Sequence, residues 1–215
     1  MSLPKPYYDD GRGIVIYCGD CRDILPHLEK VDLVLTDPPY GIASIWTKGS
    51  EKHGWTKANQ EAHCRNGWDE SPLDAGTLSL VVNQGKSAIV WGGNYFDLPP
   101  SRCWLVWNKP ERGFSLAEAE LAWTSIDAVV RVFDHARSEP DREHPTQKPL
   151  KLMSWCLSQA KNIKTVLDPF MGSGTTLVAC KQRGLSCIGI EREEKYCDIA
   201  VKRLSQEVFD FGGEG

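Results

Sequence analysis

Two stretches of this chain hold residues whose types and spacing could do chemistry. The first is VDLVLTDPPYG, residues 31–41. An apolar, strand-like run ends in Asp37, and Pro38, Pro39, Tyr40 and Gly41 follow. Neither proline can continue a sheet, because each lacks a backbone N–H and has a fixed φ. The chain is therefore stiff where it presents a carboxylate and an aromatic ring. The second stretch is DPFMGSGTT, residues 168–176, between a strand-like TVLDPF and a helix expected to start near Thr175. Gly172 and Gly174 allow a tight turn and a close ligand approach. The helix start offers unpaired N–H groups and the positive end of a dipole. Glu191 closes the next predicted strand, where a carboxylate can accept hydrogen bonds from ribose hydroxyls.

Two familiar nucleotide loops do not fit the second stretch. A phosphate-binding P-loop needs Lys before Ser/Thr, and this loop runs Gly174-Thr175-Thr176 without one. A dinucleotide fingerprint wants a third small residue where Leu177 stands. Asp168 at the start of the loop would repel a pyrophosphate but suit an ammonium. A ligand with a ribose and an amino-acid end fits better. Taken alone, the loop also reads as a plain strand-to-helix turn, and DPPY as a turn at a strand end.

The elements needed to position these residues alternate along the chain. GIVIYCGD (13–20), VDLVLTD (31–37), SAIVWGG, CWLVWNK, TVLDPF and LSCIGIE read as strands. Several are apolar throughout, as in parallel sheets buried on both faces. CRDILPHLEK reads as a short helix perturbed by Pro26, and SPLDAGTLSLVVNQG, LKLMSWCLSQA and TTLVACKQRG as further helices. EREEKYCDIAVKRLSQEV sets Cys197, Val201, Leu204 and Val208 on one helical face. AELAWTSI and AVVRVF read as a hairpin or a bent strand. The pattern predicts one α/β domain over 1–215, doubly wound, with helices on both faces of a mostly parallel seven-stranded sheet.

Composition narrows the class. With 41% hydrophobic and 25% charged residues, the chain suits a globular core and has no membrane-spanning run. A cytoplasmic protein is expected. The eight cysteines fall mostly in apolar runs, and Cys18–Cys21 lacks the second ligand pair of a zinc site, so no metal is expected. A net charge of −4 excludes a general nucleic-acid coat. Segment 41–68 differs: Lys48, Lys52, Lys57 and Arg65 outnumber Glu51 and Glu61 among three Trp. Residues 41–70 form a candidate DNA-contacting loop, or a solvated one.

Four motifs together carry a resemblance. DPPY (37–40), HPTQKP (144–149), DPFMGSGTT (168–176) and GIE (189–191) resemble the S-adenosylmethionine-dependent DNA amino-methyltransferases. With DPPY first and the glycine loop late, the order is that of the circularly permuted β class, and small phage and prophage members look similar. The resemblance implies a Rossmann-like methyltransferase fold in which GIVIYCGD lies beside LSCIGIE. It implies cofactor contacts from Asp168, Pro169, Phe170, Gly172, Ser173, Gly174, Thr175, Thr176 and Glu191. Asp20 would meet the cofactor adenine, though it also reads as a helix N-cap. Thr146 and Lys148 would pack at the methionine end.

The resemblance implies Asp37, Pro38, Pro39 and Tyr40 as the catalytic motif. Hydrogen bonds from a base NH₂ to Asp37 and the Pro38 carbonyl would aim the nitrogen lone pair at the methyl group, and S-adenosylhomocysteine would be the product. The base must leave double-stranded DNA to arrive there, and Tyr40 would offer a face to stack on. Both adenine and cytosine present an NH₂ beside a ring nitrogen, and an ionised acceptor is stronger than a hydroxyl toward either. The resemblance implies the lean toward N6 of adenine, since Asp at the motif's first position goes more often with adenine and Ser with cytosine. N4 of cytosine, an RNA or protein amine, and a non-catalytic DNA-binding module are the alternatives. A homodimer and a restriction-modification setting are compatible with the resemblance.

Overall fold

Apolar runs bounded by turns become strands, and those apolar on both faces take the centre of the sheet. The computed structural model describes residues 3–41, 73–112, 117–136 and 147–206. Among these, nine strands form one sheet: β1 (Tyr8–Asp9), β2 (Ile14–Cys18), β3 (Val31–Thr36), β4 (Gly85–Trp91), β5 (Trp104–Asn108), β6 (Ala119–Thr124), β7 (Arg131–Asp134), β8 (Thr165–Asp168) and β9 (Ser186–Glu191). Their spatial order is β1-β2-β9-β8-β3-β4-β6-β5-β7. From β2 to β4 all neighbours are parallel. β2, from GIVIYCGD, does lie beside LSCIGIE, in a register that sets Cys18 opposite Glu191.

Two expectations need correction. The sheet has nine strands, not seven, because β1 adds antiparallel to β2 and β7 extends the far side parallel to β5. And β6 and β7 are not paired with each other. β5 lies between them, antiparallel to β6. Burial explains the arrangement. Ala122 and Trp123 of β6 are enclosed, whereas Val132 of β7 is 58% exposed and suits an edge.

Among the described residues, five α-helices cover the sheet: α1 (Cys21–Ile24), α2 (Ala75–Asn83), α3 (Leu150–Gln159), α4 (Thr175–Gln182) and α5 (Glu194–Ser205). Pro26 turns the end of α1 into a 3₁₀ turn over Leu25–His27. Asp74 caps α2 by accepting from Thr77 N at 2.9 Å, and the Ser71-Pro72 pair lies outside the described residues. Alternation along the central strands divides the core. Leu33, Leu35, Ile89 and Trp91 face α3, α4 and α5, while Val34, Ala88 and Val90 face α1 and α2. Each fully buried Val, Leu or Ile side chain among these contributes about 1.5–3 kcal/mol. The sheet is therefore doubly wound, as expected.

Thr146, residues 42–70, Cys64 and Val208 lie outside the described residues. No described helix is long and apolar enough to cross a membrane.

Candidate active site

Strand direction gathers the site. β2, β3, β4, β8 and β9 point their C-terminal ends the same way. Asp20, Asp37, Gly92, the 168–176 loop and Glu191 follow those ends. A crevice at the carboxyl ends of parallel strands is where such sheets hold ligands. β6 runs the other way, so its beginning, with Glu120, comes to the same end.

Asp37 and Tyr40 meet. The Tyr40 hydroxyl donates to Asp37 Oδ1, and Lys148 Nζ donates to Asp37 Oδ2 at 2.6 Å. Lys148 also reaches the Tyr40 oxygen at 3.3 Å and Glu120 Oε2 at 3.2 Å. Lys109 in turn donates to Glu120. Burial by itself would push the Lys148 ammonium down, but the Asp37 and Glu120 carboxylates outweigh it and hold it well above the ordinary lysine range. Burial would likewise raise Glu120, yet Lys148 and Lys109 bring it down to about 2. Burial and the adjacent Asp37 push the Tyr40 phenol well up, so it stays a donor. Lys148 was expected at a cofactor's methionine end. In this structure its ammonium is spent on Asp37 and Glu120.

Tyr40 is also not an open platform here. Its ring stacks on Tyr95 at 5.1 Å between centroids, with the edge of Phe96 at 6.2 Å. Across from these lies Gly92, in the left-handed region at φ +66, where a Cβ would come within 2.1 Å of Tyr40 Cε1. Only glycine suits both the backbone and the space. Gly92→Ala should therefore destabilise the protein by roughly 2–4 kcal/mol, combining left-handed strain with overpacking. Urea melts check this, and an unchanged midpoint would show that Tyr40 does not need that space.

The glycine loop is held from behind. Asp168 was expected to face a ligand's ammonium. Instead it is 2% exposed, its Oδ1 accepting from Thr36 Oγ1 at 2.9 Å and Phe170 N at 3.2 Å, its Oδ2 from Thr176 Oγ1 at 2.6 Å. Burial pushes its carboxyl up to about 6, against those hydrogen bonds. Asp168 and Thr176 thus tie β8, β3 and α4 together beneath the loop. Arg203 of α5 straps the outside, donating to Ser173 O at 2.7 Å and to the Ser173 and Thr175 hydroxyls at 3.1 Å each. Gln147 accepts from the Ser173 hydroxyl at 3.0 Å. Pro169 is buried and Phe170 half-buried at the turn.

The two loop glycines differ in purpose. A Cβ on Gly174, at φ +80, would lie 2.7 Å from Ala200 Cβ, so this glycine lets α5 pack against the loop. A Cβ on Gly172 would meet nothing within 4 Å, so open space lies there. Glu191 borders that space. Its Oε2 accepts from Gly172 N at 3.1 Å and its Oε1 from Glu193 N at 2.8 Å, and burial raises its carboxyl. A half-buried acceptor beside an open glycine backbone fits a ribose. Asp20 is the N-cap of α1, accepting from Arg22 N at 2.9 Å and from the Arg22 guanidinium. That pairing holds its carboxyl low. The N-cap reading of Asp20 is realised, and it stands two residues beyond the Cys18–Glu191 register pair.

Sequence reasoning missed Glu120, Lys109, Tyr95 and Arg203. The double glycine after SAIVW hinted at Gly92. A charged residue inside the apolar strand AELAW hinted at Glu120. Nothing in the sequence pointed to Arg203.

Comparison with known proteins gives concordant results. Residues 91–202 match the N6_N4_Mtase family, described as DNA methylase. The type II methyltransferase M2.DpnII of Streptococcus pneumoniae is 48% identical, over 96% of this chain and 95% of its own length. The type II methyltransferase M.HinfI of Haemophilus influenzae is 49% identical, over 87% of this chain and 67% of its own. The crystal structure of the M1.HpyAVI–SAM complex aligns with a TM-score of 0.53 at 24% identity, covering 89% of this chain and 99% of that one, which is a likeness of fold.

Proposed function

The chain belongs to the N6/N4 DNA methylase family and is an S-adenosylmethionine-dependent DNA methyltransferase, and from that premise we propose that it methylates the exocyclic N6 of an adenine flipped out of double-stranded DNA. The observation that carries this reading is Asp37, held by Lys148 at the end of β3, in the same crevice as a glycine loop whose backbone is open at Gly172.

The cofactor, when bound, supplies an electrophilic methyl group. Glu191 and the open backbone at Gly172 would hold its ribose, and Asp20, two residues past the Cys18–Glu191 register pair, would serve its adenine. Asp37 and the Pro38 carbonyl accept from the target NH₂. They draw its lone pair out of the ring and stabilise positive charge as the new bond forms. In the present arrangement the Tyr40 hydroxyl occupies Asp37 Oδ1, and the Tyr95 ring stacks on Tyr40. A base arriving at Asp37 replaces the Tyr40 hydroxyl at Oδ1 and the Tyr95 ring on the face of Tyr40. Base–aromatic stacking of about 1–3 kcal/mol offsets much of that exchange.

An ionised acceptor hydrogen-bonds either exocyclic NH₂ more strongly than a hydroxyl does. The lean toward adenine over cytosine rests on the resemblance, in which Asp at the motif's first position goes more often with adenine and Ser with cytosine. Transfer of labelled methyl from the cofactor should appear on DNA and not on RNA or protein. Digesting the methylated DNA to nucleosides and weighing them should give N6-methyladenine. N4-methylcytosine as the main product would overturn the base assignment and leave the chemistry of Asp37 in place.

A further inference from the structure

Glu120 lies outside every motif, yet it is tied to the centre of the site. Its Oε2 sits 3.2 Å from Lys148 Nζ, which also lies 2.6 Å from Asp37 Oδ2 and 3.3 Å from the Tyr40 oxygen. Lys109 holds Glu120 from the far side, with its ammonium 4.4 Å from the Trp107 ring centroid. The Lys148 and Lys109 side chains are 8% and 4% exposed. Two carboxylates and two ammoniums thus alternate in a row, and their charges cancel.

Such a row could move a proton or balance charge. A relay would pass the Lys148 proton to Glu120. Lys148 is held well above its ordinary value and Glu120 is lowered to about 2, so that transfer runs uphill at both ends. Charge balance remains. The amine gains positive charge as it is methylated, and Asp37 must answer it. A buried ammonium resting on Asp37 alone would cancel much of that response, because fixed charges act strongly where water is excluded.

We propose that Glu120 is a positioning residue for methyl transfer: it shares Lys148, so that Asp37 keeps its negative charge available to the target amine. This rests on the reading of Asp37 as the amine's acceptor. Without Glu120, Lys148 draws fully onto Asp37 and weakens it.

The test is a double-mutant cycle between Glu120→Gln and Lys148→Met, with kcat, cofactor Kd and DNA Kd measured for each. Glu120→Gln should lower kcat roughly tenfold to a hundredfold while both Kd values stay within about threefold. In the Lys148→Met background the same change should cost less than about twofold, since no ammonium is left to collapse onto Asp37. Glu120→Asp keeps the charge on a shorter arm and should retain at least about a third of the wild-type kcat. An equal cost in both backgrounds overturns the proposal, as does a normal kcat in Glu120→Gln. So does Glu120→Asp falling as far as Glu120→Gln, or losses that appear in the two Kd values instead of kcat. Asp37→Ala separates the two readings. If it still turns over, the acceptor role fails; if it is dead while Glu120→Gln is normal, only the role of Glu120 fails.

Discussion

Asp37→Ala is expected to abolish methyl transfer while leaving a folded protein that still binds the cofactor. Asp37 stands at the end of β3 and its carboxylate contacts Tyr40 and Lys148, not the glycine loop or Glu191. Removing it takes away the charged acceptor that shapes the amine and answers its growing charge. Loss of one such group typically costs on the order of a hundredfold to a thousandfold, and more when the group also orients the nucleophile. Stability should fall only modestly. Deleting one partner of a buried ion pair can cost about 3–5 kcal/mol, but Lys148 keeps Glu120 as a partner, so a loss of roughly 1–2 kcal/mol is expected. Labelled-methyl transfer reads the activity, and calorimetry reads cofactor binding and melting. A variant that retains turnover within tenfold of wild type would remove Asp37 from the chemistry.

The parts of this molecule that local sequence could reveal were those governed by backbone constraint. Pro38 and Pro39 announced a strand end, the glycine loop a strand-to-helix turn, and Asp20 a cap. Apolar runs fixed which strands are central, and permuted motif order put β2 next to β9. What stayed hidden depends on contacts between distant segments. Glu120 and Lys148 are 28 positions apart, and nothing local says that an antiparallel β6 brings the first to the second. Asp168 illustrates the same limit in reverse. Its place in the motif suggested an exposed role, but Thr36, 132 positions away, closes over it. Tyr40 was legible as an aromatic on a stiff platform. Its cover by Tyr95 was not, because that ring arrives from the turn after β4.

The burial of Asp168 yields a second large effect, on stability against pH. Its carboxyl moves from the ordinary 3.8 to about 6, burial being the main cause. The folded state therefore holds this proton more tightly than the unfolded chain does. Stability from this group is fully present below pH ~4, declines as pH rises through about 6, and is flat beyond. The shift corresponds to about 3 kcal/mol, an order-of-magnitude figure for a side chain this enclosed. Asp168→Asn removes the titration while keeping the shape, so its hydrogen-bond changes to Thr36 and Thr176 are the same at every pH. The stability of the variant minus that of the wild type should then rise by roughly 2–2.5 kcal/mol between pH 4 and pH 7.5, the rest of the shift lying below pH 4. Urea melts of both proteins at several pH values measure that difference. Parallel curves would mean that Asp168 does not titrate in this window. Cofactor affinity is the companion measurement. A carboxylate that only ties β8, β3 and α4 together can be replaced by an amide with little change in Kd. A loss of tenfold or more would mean that its charge is felt through the loop by the ligand's ammonium, and that the site retains a carboxylate which costs stability at neutral pH for the sake of binding.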